Sequence, residues 1–122
     1  VRVAALAALL VLPFSAWADD AGERAFQHCY SCHSLDPAET HLQGPVLKGI
    51  IGRAIAAQPG FRYSDALRRF AAANPAWTRA LLESYIADPE RLVPGTDMAM
   101  PRIRDTGLRR AILDHLAASA GR

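Results

Sequence analysis

Lysine is nearly absent from this chain: Lys48 stands alone, and arginine carries the rest of the positive charge. The formal net charge is +2, one unit of it from Arg2. A balance so near neutral gives no strong pull towards nucleic acid, and any docking charge must come from uneven distribution. Beyond the first eighteen residues no apolar run approaches the ~20 residues that span a bilayer, so no stable membrane insertion is expected. Strand-like alternation of useful length is also missing, which argues against a sheet protein. Cysteine is limited to Cys29 and Cys32. A bridge between them would close a very short loop and add little stability. The chain has no internal repeat and no low-complexity tract.

The N-terminal segment has a different character. Arg2 supplies a positive start, Val3 to Phe14 is apolar, and Ala16-Trp17-Ala18 has the small-x-small form of an export cleavage site. Residues 1–18 therefore read as a signal peptide, and 19–122 as one domain working outside the cytoplasm. That stretch explains part of the 51% apolar content, high for a small globular chain.

Within 19–122 the pattern predicts about four short helices and long loops, an all-α fold. The first helix is expected from about Asp20 to Cys29, with Asp19 or Asp20 as cap and Gly22, Phe26 and Cys29 on one face. A second covers Ser64 to Ala73. A third opens at Pro75, capped by Asn74, carries Trp77, Leu81, Leu82, Tyr85 and Ile86 as its stripe, and ends at Asp88-Pro89. Glu90 to Arg104 reads as loop. The last helix runs from about Thr106 to Ala118. These faces offer few large apolar residues, and loops so long are uncommon without other filler. The fold thus needs a partner at its centre, and a flat aromatic macrocycle would supply that area.

Cys29-Tyr30-Ser31-Cys32-His33 is Cys-x-x-Cys-His, the attachment signature of a c-type haem. The two thiols fall about one helical turn apart, facing one edge of the macrocycle. His33 then lies beneath the iron as proximal ligand. A thioredoxin-like site would want a βαβ context. A zinc site would want a second ligand pair, and His28, His41 and His115 bring no further cysteine. For the other axial position the chain offers Met98 and Met100, both inside the Pro94–Pro101 loop. Core filling is the ordinary role of methionine, but a thioether on iron raises the potential. The three remaining histidines are rivals for the sixth position. His28 is expected to point away from the site, and His115 to belong to packing or surface.

These residues stand in an order that resembles the class I cytochromes c of the mitochondrial and related bacterial type. Gly22, Phe26 and Cys29–His33 match the family's first helix. Gly44-Pro45-Val46-Leu47-x-Gly49-x-x-Gly52-Arg53 and Pro59-Gly60-Phe61-x-Tyr63-Ser64-Asp65-Ala66 match the segments after it. Trp77, Tyr85, Asp88-Pro89 and Pro94-Gly95-Thr96-x-Met98 complete the series. The resemblance implies the cytochrome c fold around one haem c bonded through Cys29 and Cys32. It also implies His33 and Met98, rather than Met100, as iron ligands, and the Pro45 carbonyl on the free ring nitrogen of His33. Arg53, Tyr63 and Trp77 resemble the residues that bond the propionates, and Tyr85 the tyrosine beside the ligating sulfur. Gly22 and Phe26 are expected to meet Ile112 and His115 where the first and last helices cross. His41 matches a loop histidine with a structural hydrogen bond.

The departures concern docking and polarity. The lysine ring of the mitochondrial type is missing, Glu90 and Asp97 replace basic positions, Leu67 replaces an asparagine, His115 an aromatic ring, and Met100 another. The implied role is a monomeric single-electron carrier in a respiratory or photosynthetic chain, not an enzyme. Its partners are redox proteins: a dehydrogenase, a cytochrome complex, an oxidase or a reductase. A haem peroxidase would require Met98 to be off the iron. A fixed subunit of a larger complex is the third possibility.

Overall fold

The computed structural model describes residues 15–98, 100 and 102–122. Most of the expected 1–18 signal peptide, residues 1–14, lies outside the described residues. Among the described residues five helices follow one another: α1 (Ser15–Phe26), α2 (Asp65–Ala73), α3 (Arg79–Ala87), α4 (Pro89–Leu92) and α5 (Thr106–Ser119). Among the described residues there is no strand, only an isolated antiparallel bridge between Ala54 and Ala76. The molecule is all-α with long connections, as expected, but with one more helix.

Local chemistry sets most of the boundaries. The Ser64 side chain accepts from the Leu67 amide and starts α2; Asp105 does the same for α5 through the Leu108 amide, at 2.6 Å. α1 stops at Phe26 rather than Cys29. The amides of Gln27, His28 and Cys29 bond three residues back, which tightens the chain into turns just before the cysteines.

The third helix begins later than expected. Asn74 does not cap it; its amide closes α2 against Ala71 and Phe70. Residues 75–77 instead lie along the 52–55 loop: the Trp77 amide donates to Arg53, and the Gly52 amide donates to Trp77. Thr78 is the actual cap. Asp88 ends α3 and caps α4, with Pro89 as its first residue.

α1 and α5 cross at close range, and α5 also packs on α3. A methyl at Gly22 would lie 2.9 Å from His115 Cβ, so only glycine allows this approach. The Phe26 and His115 rings sit 5.3 Å apart, centroid to centroid. Phe26, Ile112 and Leu113 are the most deeply buried large side chains. Across the molecule, Arg79 pairs with Asp114 at 2.6 Å and ties α3 to α5. Arg109 donates to the carbonyls of Ile103 and Arg104, both at 2.8 Å, and fixes the chain entering α5.

Candidate haem site

The helices and loops leave a cavity of about 440 Å³ at the centre of the fold. All nine residues singled out from the sequence line it: Cys29, Cys32, His33, Pro45 and Arg53, together with Tyr63, Trp77, Tyr85 and Met98. Leu67, Leu82, Ile86, Ile112 and Leu116 supply apolar wall.

The motif residues enter from the turn after α1. The Cys32 and His33 amides both return to the Cys29 carbonyl, at 3.1 and 2.9 Å, which holds the segment in one turn of chain. Neither thiol is in a disulfide. Burial, with the neighbouring Cys32, pushes the Cys29 thiol up to about 11, so it stays protonated at neutral pH. The Cys32 thiol donates to Gln43 Oε1 at 3.5 Å.

His33 Nδ1 lies 2.7 Å from the Pro45 carbonyl oxygen. A carbonyl can only accept, so Nδ1 carries the proton and donates. Burial lowers the ring's basicity while the Pro45 bond works the other way, and the outcome is a ring displaced toward the neutral form. A neutral imidazole protonated at Nδ1 keeps a lone pair on Nε2, as a metal ligand requires. Gly44 makes the geometry possible: a methyl there would lie 2.3 to 2.7 Å from three atoms of the His33 ring.

On another wall Tyr85 Oη and Thr96 Oγ1 are 2.5 Å apart, and Thr96 Oγ1 also accepts from the Met98 amide at 3.3 Å. Burial raises the Tyr85 phenol above its ordinary range, the Thr96 bond opposes this, and Asp97 adds to it. Tyr85 is therefore a neutral hydroxyl. Its ring lies 5.1 Å from that of Trp77, which lies 6.2 Å from Phe70.

Arg53 Nη2 donates to the carbonyls of Val46 and Lys48, at 2.8 and 2.7 Å. That leaves three of its five donors uncommitted to these bonds. Burial lowers its pKa, with the Tyr63 hydroxyl acting in the opposite sense. The Tyr63 hydroxyl accepts from the Gln58 amide at 3.0 Å, and Gln58 Oε1 accepts from the Val46 amide. This chain of bonds links Arg53 and Tyr63, both in the cavity lining, through Val46 and Gln58.

His28 is exposed and is among the residues that line the cavity. One expectation about histidine needs correction. His41 is exposed and has no hydrogen-bond partner among the described residues, because its loop is held by backbone bonds of Glu39 and Thr40 instead. The sequence also gave no role to Gln43, Gln58 or Thr96. Only Thr96 carried a signal, two residues before Met98. Among the described residues no three His, Cys, Asp or Glu side chains gather as a zinc site would need.

The donor set fits a c-type haem: two unpaired thiols a turn apart, an imidazole with its lone pair free, a thioether, and apolar walls around them. No protein-family model matches the chain. Curated relatives and solved structures do. Cytochrome c2 of Rhodomicrobium vannielii is 32% identical over 124 residues, covering 99% of this chain and 97% of that protein. The structure of cytochrome cH from Methylobacterium extorquens is 36% identical with a TM-score of 0.72, over 82% of this chain and 97% of that one. Cytochrome c2 from Rhodospirillum centenum is 26% identical with a TM-score of 0.77, over 84% and 98%. With likeness over nearly the whole length in both sequence and fold, this chain belongs to the class I cytochrome c family, electron carriers rather than enzymes, each with one covalently bound c-type haem.

Proposed function

We propose that this chain is a periplasmic single-electron carrier whose haem is bonded through Cys29 and Cys32 and ligated by His33 and Met98. The observation that carries this reading is one cavity with both thiols, the oriented imidazole and Met98 in its lining.

Cys29 and Cys32 would hold the haem through two thioethers, a thiol addition to its vinyl groups that needs no oxidant. Pro45 holds the His33 ring and raises its basicity as a ligand. Met98 would be the second protein ligand to the iron, and the Thr96–Tyr85 pair steadies its backbone. Arg53, Tyr63 and Trp77 would hold the haem's propionates. The haem supplies a reversible one-electron couple, and the apolar walls favour its less charged, reduced state. Ligation by both His33 and Met98 would keep oxygen and substrates off the metal.

Residues 1–18 act as the export signal, and the mature monomer shuttles electrons from a dehydrogenase or cytochrome complex to an oxidase or reductase. No helix among the described residues is long and apolar enough to cross a membrane. The test is the visible spectrum of protein expressed with a c-type maturation system. A narrow reduced alpha band, a weak sulfur-to-iron band when oxidised, and no carbon monoxide binding by the reduced form are expected. Colourless protein refutes the attachment; rapid carbon monoxide binding refutes the closed iron.

A further inference from the structure

Met98 and Met100 both line the cavity, and both are partly buried against the core. The proposed function uses only one of them. The chain carrying the pair is pinned on each side. Upstream, Thr96 Oγ1 holds the Met98 amide; downstream, the Ile103 amide donates to the Ile86 carbonyl at 3.1 Å. Met100 already stands in the cavity lining, so a second thioether is at hand when the first lets go. Methionine is unbranched and has three rotatable bonds, so its sulfur adjusts its reach more readily than other apolar side chains.

We propose that Met100 is a reserve axial ligand, taking the position opposite His33 whenever Met98 is missing or detached. The exchange breaks one iron–sulfur bond and forms another, so no electron or proton is transferred. The inference rests on the His33/Met98 reading.

The test uses holoprotein carrying Met98→Leu, alone and with Met100→Leu. Leucine preserves volume, so lost ligation is separated from lost packing. The single variant is expected to keep a sulfur-to-iron band displaced from the wild-type wavelength. It is expected to bind carbon monoxide at least ten-fold more slowly than the double variant, which has no such band. A single variant without the band, binding carbon monoxide as fast as the double, overturns the inference. A band identical to wild type in the single variant also overturns it, because Met100 would then be the resident ligand. If the leucine pair yields no coloured protein, Met98→Ala and Met98→Ala/Met100→Ala give the same comparison. A wild-type protein without the band refutes the His33/Met98 ligation itself, an outcome distinct from the other two.

Discussion

Gly44 and Ala56 show how single backbone positions bear on the site. At Gly44 the absent side chain lets the backbone lie against the His33 ring. Gly44→Ala must displace either that ring or the Pro45 carbonyl, and crowding of this kind costs about 1–3 kcal/mol. The expected result is a lower yield of covalent haem and a denaturation midpoint shifted by that amount in what is made. An unchanged midpoint and yield would show that the loop yields freely. Ala56 is the opposite case, a residue with a side chain in the left-handed region, at φ 57. That conformation costs an L residue about 1–2 kcal/mol, while glycine loses about 0.5–1 kcal/mol in unfolded-state entropy. Ala56→Gly should therefore stabilise by about 0.5 kcal/mol, read as a rise in the midpoint; a fall would mean that the Ala56 methyl packs for more than its backbone costs.

Among the elements, α5 is held by its start as much as by its buried face. Asp105→Ala removes the side chain that accepts from the Leu108 amide and should destabilise by about 1 kcal/mol without moving the haem spectrum. A spectral change would show that the helix entry also sets the cavity. α2 and α5 were legible in the sequence as helices, and in the structure both obey the capping rule, Ser64 and Asp105 each accepting from the amide three residues further along. That rule misled at Asn74-Pro75, which looks like a cap and first helical residue. There the backbone is claimed by the 52–55 loop, a tertiary pairing with no local trace. Asp88-Pro89 carried both signals, an end for α3 and a start for α4, and only the first was read. For the site, the nine cavity residues were legible because each belongs to an ordered series of family motifs. Gln43 and Gln58 were not, since a lone glutamine in a loop gives no hint of which thiol or amide the fold will bring to it.

On the scale of the whole molecule, charge placement decides how partners approach. The net charge is near zero, so steering depends on the few charges beside the cleft. Asp97 is exposed and lines the cavity. Glu90 is turned onto the loop itself, accepting from the Gly95 amide at 3.1 Å, and Arg102 is paired with Asp88 at 3.2 Å. Asp97 is therefore the acidic group at the opening best placed to repel an anion. Asp97→Lys changes the local charge by two units, and exposed charges are screened over about 10 Å at 0.1 M salt. Oxidation of the reduced protein by ferricyanide, an anion, should accelerate several-fold at low ionic strength and lose that gain at high salt. The visible spectrum should not move, because Asp97 is not a ligand. A rate unchanged at every salt concentration would place electron exit on another face of the molecule. An acceleration that survived high salt would point to a rearranged loop rather than to steering, and the spectrum would then be expected to shift with it.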